Sequence, residues 1–373
     1  MRAALLPGKS GLHHVEALTM RFSGEFGLQF TLHIANQYST PQLVNLAELA
    51  HDQGFQQIWV NDNMGYRSVF VVLTAMASRV PVKLGTAILV PYFRNPLDVA
   101  GTLAAISELT DGREFSVGMA RGAKAPAGQQ VYRPKPLAMV RETTLFLQAL
   151  LRGETVLVDD YPVVAAHHQI RPGARYRMSF PPQSPIRFYS GGNGPKIHNI
   201  AGRIMDGILM GGAFIPLMRI GKLEPLMEIA HEAAQTTDPD KRLFNICEIN
   251  VSVSRNRAEA KRFTKPYVVQ IIVEWGFSEE EYIALGITPE KVRSVRAAYE
   301  AGSTIEEAAE MISDEEVSSC FVAGDPEECL EQLEPLIAEA ERLGFGQVSL
   351  AKLGPDYDEA IRLLGADVLG KLA

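Results

Sequence analysis

Residues 83–122 read KLGTAILVPYFRNPLDVAGTLAAISELTDGREFSVGMARG, and this stretch decides the predicted fold. Two short apolar runs, 84–90 and 114–118, flank a segment with a helical pattern. A strand, a helix and a second strand in this order form a crossover unit, which implies parallel strands. Both runs end in loops rich in Gly, Pro and Arg, and functional groups of parallel α/β folds lie at such strand ends. The stretch therefore predicts an architecture and the edge at which a ligand binds.

The same alternation of strands and helices continues on both sides of this unit. Further strands are predicted at 25–33, 55–60, 186–190, 207–210, 245–253, 320–323 and 347–351, and the intervening helices include 40–53, 134–151 and 216–235. One or two of these nine runs are ambiguous, and a count of eight strands predicts an α/β fold, a (β/α)8 TIM barrel with insertions after strands four and seven. A doubly wound open sheet is the alternative, but no GxGxxG loop follows the first strand.

Two irregular regions interrupt the barrel pattern, and a further one precedes it. Residues 1–24 are expected to form an N-terminal extension, and residues 25–373 a single barrel domain. The first insertion, about 153–185, is rich in Pro, His and Arg. A loop of that length is uncommon unless it is functional or contains a small hairpin, so we expect a lid with a hairpin. The second insertion, about 274–316, is acidic and helical, and we expect it to shape the pocket.

The composition limits which cellular compartment and which partners are expected. The 373 residues carry a net charge of −8 without a long basic block, so nucleic acid is not an expected partner. No apolar run is long enough to cross a membrane, and no signal-peptide core is visible. The three cysteines, Cys247, Cys320 and Cys329, form no CxxC pair, which is typical of buried thiols in a reducing compartment. We therefore expect a cytoplasmic protein that acts on a small-molecule substrate.

The strand ends supply two candidate ligand signals. The loop 190–196, SGGNGPK, combines three glycines with a proline at a helix start, which suits a phosphate but is equally typical of a plain turn. Cationic side chains suit an anionic cofactor or substrate, although they also form ion pairs with acidic groups at the barrel rim. They are Arg67, Arg94, Arg113, Arg121 and Lys124. His33, His167 and His168 lie in no metal-binding motif, and no GxSxG is present, so neither a metal site nor a serine hydrolase is expected.

Taken together, several stretches resemble the bacterial-luciferase-like superfamily of flavin and deazaflavin oxidoreductases over roughly residues 25–370. They read QGFQQIWVND, LGTAILVPYFRNP, ELTDGREFSVGMARG, PIRFYSGGNGPKIHNIAGRIMDGILMGG and VAGDPEECLEQLEPLIAEAERLGFGQVSL. Within the superfamily the chain looks most similar to the branch dependent on coenzyme F420, which includes methylenetetrahydromethanopterin reductase and a glucose-6-phosphate dehydrogenase. VPYFRNP and SGGNGP resemble, respectively, the strand-three loop and the phosphate loop of the reductase.

The resemblance implies roles for individual residues. Gly191, Gly192, Asn193 and Gly194 would hold the cofactor phosphate, and a non-prolyl cis peptide at Ala87–Ile88 would support the deazaflavin ring. The remaining candidates are Asp62 and Thr86 at the cofactor, Asn63 and Lys124 as catalytic residues, and Tyr66, Arg121 and Met210 on the substrate side. The resemblance also implies a homodimer, for which the apolar helices at 40–53 and 67–78 are candidates.

Two positions depart from the sugar-phosphate dehydrogenase of this branch, which has a histidine after strand two and a glutamate after strand four. Asn63 and Ala123 stand at those positions. Since an asparagine is no general base and an alanine carries no acid, glucose-6-phosphate oxidation is not expected.

We therefore expect an oxidoreductase that moves a hydride between coenzyme F420 and a small organic substrate of the imine or carbonyl type. A luciferase-like monooxygenase that uses FMN and molecular oxygen is the alternative within the same fold. A cofactor-free barrel that only binds a ligand or a partner is the alternative from another class.

Overall fold

The computed structural model describes residues 22–122 and 131–372. In chain order the strands are β1 (Glu25–Phe30), β2 (Gln57–Val60), β3 (Lys83–Leu89), β4 (Phe115–Met119), β5 (Val156–Leu157), β6 (Arg175–Tyr176), β7 (Ile186–Ser190), β8 (Gly207–Met210), β9 (Asn245–Val253), β10 (Val322–Gly324) and β11 (Phe345–Ala351). The helices between them are Thr40–Asp52, Val69–Ala77, Pro96–Ser107, Pro136–Leu151, Pro162–His167, Pro195–Ile204, Phe214–Arg219, Leu223–Thr237, Arg257–Glu274, Glu279–Ala284, Pro289–Glu300, Ile305–Ala309, Asp314–Val317, Pro326–Arg342 and Tyr357–Leu363. The last helix continues into a π-helical stretch, Leu364–Leu369, and a final turn, Gly370–Leu372.

Eight parallel strands close into a barrel in the order β1, β2, β3, β4, β7, β8, β9 and β11, and β11 pairs again with β1. The predicted TIM barrel is therefore confirmed. The run predicted as a strand at 320–323 lies outside the closed ring. It forms β10, which pairs with the end of β9 from Val251 to Val253, whereas β11 pairs with β9 from Asn245 to Asn250.

Large side chains fill the inside of the barrel. Trp59 from β2 is fully buried and packs in one cluster with Ala87, Tyr189 and Leu209. Gly85 on β3 makes room for this indole, because a Cβ there would lie 2.7 Å from the Trp59 ring. The indole N–H donates to Oε1 of Gln347 at 2.8 Å, so the buried polar atom is satisfied. This packed interior leaves the open end of the barrel for a ligand.

The first strand and one helix differ from their predicted bounds. β1 ends at Phe30, which pairs with Val60, so residues 31–33 leave the ladder and belong to the loop above it. The helix predicted at 216–235 is two helices, Phe214–Arg219 and Leu223–Thr237. Gly221 between them has a φ of 69°, a left-handed conformation that ends a helix.

The two insertions have different structures. The hairpin predicted in the first insertion is confirmed, because β5 and β6 pair antiparallel with Val156 opposite Tyr176. The second insertion contains four short helices that pack on the helix Arg257–Glu274 around a separate apolar cluster, which includes Tyr282, Ile287 and Val295. Most of the predicted N-terminal extension, residues 1–21, lies outside the described residues. No helix among the described residues is long and apolar enough to cross a membrane.

Candidate functional site

A cavity of about 1070 Å³ opens at the carboxyl ends of the barrel strands. Its lining comes from the loops after β1, β2, β3 and β11, together with the helix Arg257–Glu274 and residues 302–306 of the second insertion. This end of a TIM barrel is where active sites are built. Five of the predicted site residues line it: Asp62, Asn63, Tyr66, Ala87 and Ile88.

The third strand carries a bulge at the wall of this cavity. The peptide bond between Ala87 and Ile88 is cis, as the resemblance implied, and the pairing of β3 with β4 shifts between Thr86 and Leu89. The Ala87 carbonyl accepts a hydrogen bond from Nε2 of Gln29 at 3.0 Å. Thr86 is buried, donates to the Gly118 carbonyl at 3.1 Å and does not line the cavity.

Asp62 fixes the loop after β2 against the loop after β3. Its Oδ2 accepts from Nη1 of Arg94 at 2.7 Å and from the Val90 N–H at 3.3 Å. The Asp62 side chain is 1% exposed and that of Arg94 24% exposed, so the ion pair is only partly shielded from water. Oδ1 of Asp62 is buried and has no hydrogen-bond partner among the described residues.

A histidine that the sequence pattern did not single out as a site residue lies beside Asn63. His33 lines the cavity, and its Nδ1 lies 2.8 Å from Nδ2 of Asn63 and 3.3 Å from Nδ2 of Asn61. Burial, reinforced by the positive charge of Lys352, lowers the pKa of His33 to about 3. His33 is therefore neutral throughout the ordinary pH range. Its position in the loop after a barrel strand is the sequence feature that could have identified it as a site residue.

Two further charged groups, both missed by the sequence analysis, lie at this end of the barrel. Glu248 on β9 accepts a hydrogen bond from the Gly212 backbone, and burial raises the pKa of its carboxyl to about 7 against the opposing effect of Lys352. Lys352 follows β11, lines the cavity and places Nζ 5.3 Å from the centre of the Tyr267 ring. Burial lowers the pKa of Lys352, and Glu248 opposes this shift. One buried charge within the apolar run NICEINVSV is the sequence signal for Glu248.

The glycine-rich loop after β7 touches the bulge of β3. The Gly191 N–H donates to the Met119 carbonyl at 3.0 Å, so this amide is already used by the protein. A Cβ at Gly191 would lie 2.4 Å from Cγ2 of Ile88, which means that only glycine fits there without movement. Residues 191–194 do not line the cavity. The following helix, Pro195–Ile204, begins at Gly194 without a side-chain cap, which leaves its first amides available to a phosphate.

The other predicted site residues differ in whether they line the cavity. Tyr66 lines it and lies with its ring centre 5.9 Å from that of His33. Met210 is fully buried on β8, and Arg121 is exposed; neither is part of the lining. Lys124 and Ala123 lie outside the described residues.

The histidine pair of the first insertion has a structural role. Nε2 of His167 and Nε2 of His168 lie 3.1 Å from the carbonyl oxygens of Tyr92 and Pro91, respectively. The pair therefore ties the insertion to the loop after β3. Among the residues that the structure describes, no group of three or more His, Cys, Asp or Glu side chains is placed to hold a metal ion.

A closed parallel barrel, with a bulged third strand packed against the glycine loop that follows the strand Ile186–Ser190, makes this protein a TIM barrel with a cavity at the carboxyl ends of its strands. The family model described as luciferase-like monooxygenase matches residues 25–347, and the chain belongs to this family.

Two types of oxidoreductase are among the proteins that this chain resembles. The chain is 25% identical over 332 residues to a 5,10-methylenetetrahydromethanopterin reductase of Methanolobus tindarius, which covers 88% of this chain and 96% of that protein. It is 26% identical over 354 residues to an F420-dependent glucose-6-phosphate dehydrogenase of Amycolatopsis mediterranei, and the match covers 91% of this chain and 96% of that protein. The structure of the coenzyme F420 dependent tetrahydromethanopterin reductase from Methanopyrus kandleri superposes with a TM-score of 0.72 at 22% identity, over 94% of this chain and 99% of that one.

Proposed function

We propose that this protein is an oxidoreductase that transfers a hydride between coenzyme F420 and a small organic substrate of the imine or carbonyl type. The observation that carries the proposal is the cavity at the carboxyl ends of the barrel strands, which Ala87 and Ile88 line where the pairing of β3 with β4 shifts. Two proteins that match nearly the whole chain carry F420 in their names, which supports this cofactor.

The residues around the cavity fit a fused-ring deazaflavin. The cavity of about 1070 Å³ is at the upper end of small-molecule sites and has room for a cofactor and a small substrate. Buried polar atoms are normally hydrogen-bonded, yet Oε1 of Gln29 and Oδ1 of Asp62 have no partner among the described residues. Both are acceptors beside the bulge, and the pyrimidine part of a deazaflavin offers N–H donors to such groups.

We assign the support of the ring to Ala87 and Ile88, and the phosphate to Gly191, Gly192, Asn193 and Gly194. The uncapped start of the helix Pro195–Ile204 supports this second assignment, because free amides at a helix start attract anions. Asn63 and Tyr66 border the substrate in this proposal, since both line the cavity. When bound, the deazaflavin supplies two-electron hydride chemistry, and the protein contributes position and electrostatics.

A second candidate is an FMN-dependent monooxygenase that uses molecular oxygen. The observation that favours it is the family itself, whose description is that of a monooxygenase. Both cofactors have a fused three-ring system and a phosphate, so the glycine loop and the bulge would serve either one.

Parallel titrations with coenzyme F420 and with FMN distinguish the two candidates. Trp59 is a suitable reporter because it is fully buried and packs against Ala87 of the bulge. The Trp275→Phe variant leaves Trp59 as the single indole, so quenching then reports on the barrel alone. We expect micromolar binding of F420 and oxidation of reduced F420 without oxygen by a panel of small ketones and cyclic imines. Binding of FMN alone, with oxygen-dependent turnover, would refute the proposal.

We further propose that the protein is a cytoplasmic homodimer. The thiols of Cys247, Cys320 and Cys329 are free and buried, which suits a reducing compartment. On the helix Val69–Ala77, Val69 and Leu73 are buried in the core, but Val71 is 61% exposed and available to a second copy. Light scattering of the wild type and of the Val71→Asp variant tests the dimer; a monomeric wild type would refute it.

A further inference from the structure

Two asparagines at the end of β2 set the orientation of the His33 imidazole. Asn63 and Asn61 place their Nδ2 atoms 2.8 Å and 3.3 Å from His33 Nδ1. The amide of Asn61 cannot be turned around, because its Oδ1 accepts the Leu32 N–H at 2.6 Å. An amide nitrogen is a donor only, so Nδ1 of His33 must be the acceptor.

The neutral imidazole therefore carries its proton on Nε2, since one ring nitrogen accepts and the other donates. A proton on Nδ1 would place three N–H groups against one another at Asn61, Asn63 and His33. Protonation of the ring is thus disfavoured by hydrogen bonding as well as by burial.

The charge of Lys352 acts on His33 in the same direction as burial. Lys352 at the end of β11 opposes a second positive charge at this site. Tyr66 faces the ring from the loop after β2, and Asp62 in the same loop holds its carboxylate on Arg94. Glu259 and Glu306 line the same cavity, but no carboxylate is hydrogen-bonded to His33 in residues 22–122 or 131–372.

The Nε2 atom has no protein partner among the described residues, and His33 lines the same cavity as Ala87 and Ile88. A fixed N–H donor in a partly dehydrated cavity stabilises negative charge that develops on a reacting atom. We propose that His33 donates a hydrogen bond from Nε2 to the carbonyl oxygen or imine nitrogen of the substrate during hydride transfer. This inference rests on the proposed function and makes His33 a catalytic residue of that reaction.

The step balances without a change in the charge of His33. In the reducing direction a new C–H bond forms at the carbonyl carbon, and the π pair of the C=O bond becomes a lone pair on oxygen. The Nε2–H bond stabilises that oxygen anion, and a water molecule supplies the proton that completes the alcohol. The hydride, with its two electrons, would come from a C–H bond of the reduced deazaflavin, which breaks as the new C–H bond forms, and the proton released with cofactor oxidation would go to solvent. His33 keeps its own proton, because a neutral imidazole is a very weak acid.

Nitrogen NMR of the full-length protein with labelled histidine tests the hydrogen-bonding state directly. The His33→Gln variant identifies the His33 signals. We expect the spectrum of the Nε2–H form, unchanged from about pH 8 to about pH 5, where an ordinary histidine titrates. In the presence of F420, isobutyramide, a carbonyl compound that accepts no hydride, should shift the Nε2 signal. An Nδ1–H form, a titration near the ordinary value or an unchanged Nε2 signal with isobutyramide would overturn the inference.

Hydride-transfer rates provide the second test. The His33→Ala variant should reduce the carbonyl and imine panel about 100-fold more slowly than wild type, the size of effect seen when one such donor is lost. Its Kd for F420 should stay the same, since His33 acts on the substrate. His51, an exposed histidine in the helix Thr40–Asp52, provides the control variant His51→Ala, which should behave as wild type.

The outcomes separate this inference from the proposed function. If wild type and His33→Ala both bind F420 and transfer the hydride at equal rates, the role of His33 is refuted and the function stands. If wild type binds no F420 and oxidises no reduced F420, the proposed function fails and the inference fails with it.

Discussion

Replacement of Gly191 by alanine tests whether the glycine loop after β7 and the bulge of β3 form one binding surface. The new Cβ would lie 2.4 Å from Ile88 Cγ2 and 3.4 Å from the Cβ of Ala120. Carbon atoms pack at about 3.5 Å or more, so Cγ2 of Ile88 must move by about 1 Å. The Gly191 N–H bond to Met119 holds the loop in place, and the displacement is therefore expected to fall on Ile88, toward the cavity that it lines.

Such overpacking costs about 1–3 kcal/mol. A ring bound against Ile88 would prevent this side chain from relaxing into the cavity, so much of the cost should reduce the binding free energy of F420. Since about 1.4 kcal/mol corresponds to a tenfold change, we expect the affinity for F420 to fall about 5- to 100-fold. Gly101→Ala is the control, because no atom lies within 4 Å of a Cβ there and Gly101 belongs to the helix Pro96–Ser107, outside the proposed binding site.

The assay compares the Kd for F420, from Trp59 quenching, with the Tm of the same two variants and wild type. We expect a weaker Kd for Gly191→Ala, with a Tm within a few degrees of wild type, and an unchanged Kd for Gly101→Ala. Equal Kd values for both variants would refute the reasoning. A lower Tm with an unchanged Kd would show that the loop supports the fold and not the cofactor.

Three further predictions concern the charged groups of the site. Burial raises the pKa of Glu248 from 4.5 to about 7, so the folded chain keeps this proton longer than the unfolded chain. The stabilisation by this proton is complete below pH 4.5 and is lost as the pH rises through 7. Glu248→Gln should remove this pH dependence of the free energy of unfolding in urea. Asp62→Asn should lower the free energy of unfolding by about 2 kcal/mol, less than for a fully buried pair because Arg94 is partly exposed; an unchanged urea midpoint would count against this. Lys352→Met should raise the pKa of His33 in NMR titrations without restoring the ordinary value, because burial is the larger cause of the shift.

The sequence was sufficient to predict the barrel because each strand and helix carries its own local pattern. It could not place the end of β1, which was predicted to reach residue 33. The ladder ends at Phe30 because its neighbour β2 ends at Val60, and the next residue, Asn61, uses its side chain to bind the Leu32 N–H. Strand ends depend on neighbouring strands, and a single-chain pattern does not contain that information.

The charged pair at the open end was missed for a similar reason. Glu248 lies on β9 and Lys352 follows β11, so the whole second insertion separates them in the chain. The pairing of β9 with β11 brings them close enough for each to shift the pKa of the other. Glu248 lies opposite Ser349, so the pairing brings its side chain to the strand end that precedes Lys352. The assignment of the glycine loop to a phosphate stays a prediction, and the structure adds that the Gly191 amide is already bonded to Met119.

Asn63 shows how a departure from a family pattern can be interpreted through its neighbours. The resemblance implies a histidine at this position in a related dehydrogenase, and an asparagine cannot act as a general base there. The structure places the imidazole of His33 with its Nδ1 2.8 Å from Nδ2 of Asn63, in the loop that follows the adjacent strand β1. An amide donor fixes that imidazole in its Nε2–H form, whereas a second histidine at 63 would have coupled two titrating rings beside Lys352. An asparagine at this position is therefore consistent with a reaction that needs a neutral hydrogen-bond donor at the substrate and no proton transfer from this ring.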